Sequence, residues 1–185
     1  MRERTEKSID QILELSFDYL KRYGLENTSI RDLAKETDMS LGSIYYWFDD
    51  KEDFVVNSVK YGLIKSSTKI FKEAFDEINN FDRFVERVME LVKEEQSSLR
   101  LVYQAATSPT FGDRIRKNAE PLNKSYSEYI SLLSKTINVP YEEIRPIVYL
   151  FIATVLDYVV WDDYEFSKGQ LEYVYGLWMS KINNS

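Results

Sequence analysis

The chain has 185 residues, of which 44% are hydrophobic and 30% are charged, and its net charge is -7. These values are typical of a soluble globular protein with a substantial core. The sequence has no Cys and no His, which excludes disulfides, thiolate or imidazole metal sites and Ser-His-Asp catalysis. The charged N-terminus lacks an apolar signal core, so we expect a cytoplasmic protein.

Few helix breakers and apolar residues at helical spacing predict an all-α fold. The first helix is predicted from about Glu6 to Tyr23, ending at Gly24. Its buried stripe comprises Ile9, Ile12, Leu13, Phe17 and Leu20. Three cations precede or begin this helix: Arg2, Arg4 and Lys7.

The segment Ser29–Phe54 predicts two short amphipathic helices joined by a tight turn. Ser29 and Asp32 have the spacing of a capping box, in which each residue caps the other's backbone N–H. Asp38 is suited to a left-handed turn, and Ser40 can cap the next helix. The apolar side of that second helix consists of Leu41, Ile44 and Phe48. Helix, turn and helix in this order predict a helix-turn-helix DNA-binding element.

The residues of this segment resemble the DNA-binding domain of TetR-type transcriptional regulators. The resemblance runs from about Ile9 to Phe54 without a gap. It differs from the usual family pattern at Thr37-Asp38-Met39 in the turn and at Trp47. The residues that match the pattern are Ser40, Gly42, Ile44, Tyr45, Phe48, Lys51, Glu52 and Phe54.

The resemblance implies that the second motif helix enters the DNA major groove. Ser40, Gly42 and Ser43 would lie at its N-terminal end, and Gly42 would permit close backbone approach. Tyr45 and Tyr46 would contact phosphates and base edges. The DNA backbone would also be held by Ser29, Arg31 and Lys51.

Charge argues against a strongly basic interface. The first 50 residues contain seven Lys or Arg and eleven Asp or Glu, a net charge of -4. The segment Ser40–Trp47 has no charged side chain, so we expect weak non-specific binding and a small salt dependence. A helical ligand-binding or protein-interaction module without DNA binding therefore remains the alternative.

The rest of the chain predicts further helices and no long linker. We divide it into a helix-turn-helix domain, residues 1–50, and a helical effector-binding and dimerisation domain, residues 51–185. Pro121 should kink or split a helical stretch, and Ser167 with Gln170 should cap the last helix. The predicted helices are Lys51–Glu77, Phe81–Gln96, Leu99–Ala106, Phe111–Ile137, one from Val139 and Pro140 to Asp162, and one from Ser167.

The apolar run Ile147–Trp161 is shorter than a membrane span and predicts a buried helix. A helix that is apolar nearly all round must be covered on two sides. One side can face its own core and the other a second subunit, giving a homodimer through the last two helices. Alternatively, both helices are internal to a monomer.

Aromatic residues make up 15% of the chain, and many lie beyond residue 100. Each could belong to the core, but together they favour an aromatic ligand site. Asp157 would receive a cationic lipophilic effector there, or would instead pair with Arg100, Arg114 or Arg145, or lie exposed on its helix. The predicted ligand-binding residues are Tyr103, Phe111, Tyr149, Asp157, Tyr158, Trp161 and Trp178.

The sequence thus predicts a ligand-responsive homodimeric repressor, with double-stranded operator DNA as its partner. A small hydrophobic or cationic lipophilic molecule would release it by changing the spacing of the two DNA-binding helices. An enzyme is disfavoured because Asp162-Asp163-Tyr164-Glu165 lacks the spacing of paired Mg²⁺ ligands and has no second cluster to join. We expect neither a cofactor nor a metal.

Overall fold

The computed structural model describes residues 7–77 and 80–182. These residues form ten α-helices and no strand, which confirms the all-α prediction. Arg2, Arg4, Glu6 and Asn79 lie outside the described residues. The helices are α1 (Ile9–Tyr23), α2 (Ile30–Thr37), α3 (Leu41–Trp47), α4 (Lys51–Phe75), α5 (Phe81–Glu94), α6 (Gln96–Thr107), α7 (Gly112–Lys117), α8 (Glu120–Ile137), α9 (Tyr141–Trp161) and α10 (Tyr164–Ile182).

Local capping sets the ends of the first three helices. Ser8 begins α1 with a capping box to Gln11, and Ser29 begins α2 with the predicted capping box to Asp32. Asp38 ends α2 in the left-handed conformation with φ 57°, as expected for a turn residue of this type. Ser40 caps α3 as predicted.

The described chain consists of two compact units. The first contains the described residues up to Lys65 together with Leu101–Ala119, and the second contains Ser66–Arg100 with the described residues from Glu120 onward. Helices α4 and α6 contribute residues to both units. The division into functional domains at residue 50 stays a prediction.

The core of the first unit lies between α1, α2, α3 and the first part of α4. Leu20, Leu33, Ile44 and Phe54 are fully buried there. The later segment of the unit adds further buried side chains to the same core: Leu101, Val102, Ala105 and Phe111. The helix-turn-helix region is therefore folded around residues from two separate parts of the chain.

The second unit packs α5 and α8 against α9, with α10 against both α5 and α9. Its core contains a cluster of aromatic rings whose centroids lie 5.3 to 6.4 Å apart: Phe84, Phe151, Tyr175 and Trp178. Offset and edge-to-face contacts of this kind are the favoured geometry for packed aromatic side chains.

Helix α6 begins at Gln96, three residues before the predicted Leu99, and two further helix starts bear on the sequence expectation. The stretch containing Pro121 is split, and Pro121 lies in the first turn of α8, where a missing N–H costs little. The predicted start of the last helix at Ser167 is wrong. The helix begins at Tyr164, because the Asp163 carboxylate accepts the Phe166 N–H at 3.1 Å, and Ser167 is buried inside the helix.

Helix α9 is buried on one face. Among the described residues it is the one helix long and apolar enough to cross a membrane, and 28% of its most apolar window is buried. Core helices of soluble proteins meet the same criterion, so its composition alone is weak evidence for a membrane. The exposed large apolar side chains of α9 are Tyr149, Leu150, Leu156, Val160 and Trp161.

Candidate nucleic-acid interface

Helix α3 presents almost its whole surface to solvent. Ile44 is buried, and the other six of its seven residues are exposed. Tyr45 is 54% exposed, Tyr46 80% and Trp47 58%. Three adjacent exposed aromatic residues on one short helix are unusual, because large apolar side chains are normally buried unless they meet a partner.

The neighbouring residues hold α3 firmly despite its small buried area. The Ser43 N–H donates to the Ser40 hydroxyl at 3.0 Å, and the two hydroxyls are 2.8 Å apart. At the other end, Phe48 is buried and stacks on Phe54 with ring centroids 4.3 Å apart. The exposed face of α3 is therefore fixed by a cap at one end and an aromatic stack at the other.

Helix α2 supplies a second exposed edge. Hydrogen bonds from the Ser29 hydroxyl and the Ser29 backbone N–H lower the pKa of Asp32, which keeps this cap ionised. Arg31 is exposed and Lys51 is half-buried, and neither forms an ion pair with a described residue. Lys7 is already engaged, since its ammonium donates to the Thr37 carbonyl at 2.9 Å.

The eight residues predicted to bind DNA all lie in the first unit, on α2, on α3 and its cap, and at the start of α4. Seven are exposed and Lys51 is half-buried. Trp47 is a further exposed residue of this surface, and its ring meets that of Tyr46 edge-on at 5.3 Å. The predicted DNA-binding residues other than Tyr46 and Lys51 are Ser29, Arg31, Ser40, Gly42, Ser43 and Tyr45.

The sequence suggests Arg114 only as a possible partner of Asp157. The structure instead places its guanidinium against Asp50, with Nη1 2.8 Å from Oδ1 and Nη2 2.7 Å from Oδ2. Nη2 also lies 3.5 Å from Glu52 Oε2. The Arg114 hydrogen bonds lower the pKa of Asp50, with a smaller effect from the Asp53 backbone N–H. A separation of 64 residues leaves no local sequence signal for this pair.

The residues predicted to bind a ligand are divided between the units. Tyr103 is exposed, and Phe111 is buried in the core of the first unit. In the second unit, Asp157 is half-buried and forms no ion pair with the described residues. Of its expected partners, Arg100 donates to the Val159 carbonyl and Arg114 binds Asp50. The other members are Tyr149 and Trp161, which are exposed, and Tyr158 and Trp178, which are buried.

The geometry of α2, the Asp38 turn and α3 is that of a helix-turn-helix, in which the second helix is free to enter the major groove. The exposed hydroxyls and aromatic rings of α3 are groups that contact phosphates and base edges. The fold and this surface define the class of the protein as a helix-turn-helix DNA-binding protein.

Comparison with known proteins assigns the helix-turn-helix region to a family. Residues 12–57 match the family described as bacterial regulatory proteins, tetR family. The chain is 23% identical over 149 residues to the biofilm operon icaADBC HTH-type negative transcriptional regulator IcaR of Staphylococcus aureus (strain Newman), covering 78% of this chain and 80% of that protein. Residues 12–57 of this chain therefore form a helix-turn-helix domain of the TetR type.

Two further similarities agree with this placement. The uncharacterized HTH-type transcriptional regulator YfiR of Bacillus subtilis is 30% identical over 73 residues, which are 40% of this chain and 36% of that protein. A crystal structure of a transcriptional regulator from Rhodococcus sp. Rha1 has a TM-score of 0.51 and 18% identity, covering 92% of this chain and 95% of that one. At 18% identity, the similarity to the Rhodococcus structure supports the fold alone.

Proposed function

We propose that this protein is a homodimeric repressor that binds operator DNA through α3 and is released by a small molecule. The observation that supports it most directly is the exposure of Tyr45, Tyr46 and Trp47 on a capped helix of helix-turn-helix geometry. Repression is favoured by the similarity to IcaR, which is named as a negative regulator. Operator binding of this kind takes place in the cytoplasm.

The exposed groups suggest a division of roles on the DNA. Tyr45 and Tyr46 read base edges and hold phosphates through their hydroxyls, and Ser40 and Ser43 contribute polar contacts at the start of the helix. An added Cβ at Gly42 would have only the Ser40 hydroxyl nearby, at 3.9 Å, so the backbone there is open to close approach. Phosphates on either side are held by Ser29, Arg31 and Lys51.

The dimer forms through α9 and α10. Both helices leave large apolar side chains exposed in the single chain, and contiguous exposed apolar surface of this kind is typical of protein–protein contacts. On α10 the stripe includes Gly169 and Gly176, where an added Cβ would meet nothing within 4 Å, so a second helix can approach closely. A two-fold dimer would place the paired α3 helices on half-sites about 34–36 Å apart.

The effector is a small hydrophobic or cationic lipophilic molecule bound by the helical second unit. Support comes from the aromatic cluster around Trp178, whose buried indole N–H makes no hydrogen bond to a described residue. A buried donor of that kind favours a ligand with an acceptor atom. The half-buried Asp157 would favour a cation instead. The effector shifts the equilibrium through unequal affinity for the free and DNA-bound arrangements, about 1–3 kcal/mol of coupling.

Selection of bound duplexes from a random-sequence pool tests DNA binding without knowledge of the operator. We expect the wild-type protein to enrich a two-fold symmetric sequence. Tyr46→Ala should lower affinity for it by about tenfold or more, since a good base or phosphate contact contributes about 1–3 kcal/mol. Tyr23→Ala, at another exposed tyrosine of the same unit, is the matched control. A wild-type protein that enriches no sequence would favour the alternative, a ligand-binding module without DNA contact.

A further inference from the structure

Arg114 lies far outside residues 12–57, which match the family's DNA-binding module, yet it contacts the turn that directly follows α3. Its two terminal nitrogens face the two carboxylate oxygens of Asp50, the bidentate arrangement in which an arginine binds a carboxylate most specifically. This contact joins α7 to the α3–α4 turn within the first unit.

The turn contacted by Arg114 is strongly acidic. Four of the five residues from Asp49 to Asp53 are acids, and the fifth is Lys51. Asp50 also has a structural role, because its Oδ1 accepts the Asp53 N–H at 2.7 Å and so caps α4. Uncompensated carboxylates beside a helix that meets phosphates would repel the DNA backbone.

The backbone of α7 is held so that Arg114 stays in place. Phe111, directly before the helix, is fully buried in the core of the first unit, and Ile115 packs against the same core. Gly112 lies so close to the chain that an added Cβ would be 2.7 Å from the Ala106 carbonyl oxygen. Packing around Phe111, Gly112 and Ile115 therefore constrains the backbone of α7, which carries the Arg114 guanidinium.

We propose that Arg114 is a positioning residue of the DNA interface, which neutralises Asp50 and Glu52 beside α3 so that the phosphate backbone can approach. This inference rests on the proposed DNA binding. Both side chains of the Arg114–Asp50 pair are nearly half exposed, so water and salt screen their attraction and the pair adds little to folding. The main effect of the pair is on the electrostatic potential that an approaching duplex meets.

The test measures affinity for a duplex enriched by the wild-type protein and for a random-sequence duplex, at several salt concentrations. Arg114→Met should weaken binding to both by a similar factor, about three- to tenfold at 0.1 M salt, and the loss should shrink as salt rises. Asp50→Asn should bind at least as tightly as wild type, because asparagine still caps a helix. The double variant Asp50→Asn with Arg114→Met should recover most of the lost affinity.

Arg116→Met is the matched control, since it makes the same charge change on the same helix but removes a residue that pairs with Asp113. The Arg116→Met variant should bind both duplexes more tightly than Arg114→Met does. Equal losses of DNA affinity in the two variants would overturn the inference. Failure of the double variant to recover affinity would also overturn it, because Arg114 would then act through a direct phosphate contact or by stabilising the structure. If the wild type binds DNA and Arg114→Met binds equally well, the inference alone fails. A wild type that binds no duplex overturns the proposed function and this inference together.

Discussion

At the scale of single residues, Gly62 and Gly42 show how surroundings decide the effect of one methyl group. Both lie inside helices of the first unit, where alanine is intrinsically favoured over glycine by about 0.8–1.0 kcal/mol. An added Cβ at Gly62 would be 2.3 Å from ring atoms of the buried Phe17, whereas at Gly42 the nearest atom is 3.9 Å away. The first position is overpacked by any side chain, and the second is open.

We therefore expect opposite changes in the free energy of unfolding. Gly62→Ala should destabilise the protein by about 1–3 kcal/mol, because Phe17 must leave its packed position. Gly42→Ala should leave stability unchanged or raise it by up to about 1 kcal/mol, while weakening DNA binding. Urea unfolding followed by circular dichroism measures the first effect and duplex binding the second. A Gly62→Ala variant as stable as wild type would show that Phe17 can relax, contrary to this expectation.

The same scale shows which site residues a sequence can reveal. The caps at Ser29 and Ser40 and the left-handed Asp38 follow from interactions within three or four residues, so local patterns predicted them correctly. The Arg114–Asp50 pair depends on the fold bringing together positions 64 residues apart. Its charge was visible in the sequence, but its partner could not be predicted from spacing.

At the scale of helices, two ionised carboxylates hold helix starts in the first unit. Hydrogen bonds from Ser29 lower the pKa of Asp32 at α2, and Arg114 with the Asp53 N–H lowers the pKa of Asp50 at α4. Groups with a lowered folded-state pKa stabilise the fold fully above their unfolded pKa, here 3.8, and lose that contribution as pH falls through the lower folded value.

Acid titration of helicity should thus show a loss of stability that begins below about pH 4. In Asp32→Asn the cap no longer titrates, so the slope of stability against pH below that point should become smaller than in wild type. Denaturant midpoints measured between pH 2.5 and pH 6 provide the comparison. An unchanged acid slope in Asp32→Asn would mean that Asp32 has the same pKa in the folded and unfolded chain.

Helix existence was easier to predict than helix ends. The start of α10 was missed because the side chain of Asp163, four residues before Ser167, provides the first cap, and both residues are of a type that can begin a helix. Pro121 left a kink or a split equally open, since proline is compatible with either a bend or a first turn. In the folded protein this stretch is split into α7 and α8, and Phe111, directly before α7, is buried in the core.

At the scale of the whole molecule, the central question is what covers the exposed apolar faces of α9 and α10. Composition predicted that α9 is apolar nearly all round, but the sequence could not say which face the single chain would bury. The structure buries Ile144, Val148, Tyr158 and Val159 and leaves Leu150 and Trp161 exposed. A second copy of the chain is the occupant we propose, because operator reading by a pair of α3 helices requires two-fold symmetry.

Two leucines in the second unit give a matched test of this interface. Leu150 on α9 is 50% exposed and Leu132 on α8 is 52% exposed, so glutamate at either position costs the folded monomer about the same. In the proposed dimer, Leu150→Glu buries an unpaired carboxylate in each subunit and should raise the dimer dissociation constant by at least about 100-fold, whereas Leu132→Glu should not. Sedimentation equilibrium over a range of protein concentrations measures both constants. Equal weakening by the two variants would mean that the dimer contact lies elsewhere. A monomeric wild type would mean that no such dimer forms, and a single α3 would then have to read the DNA.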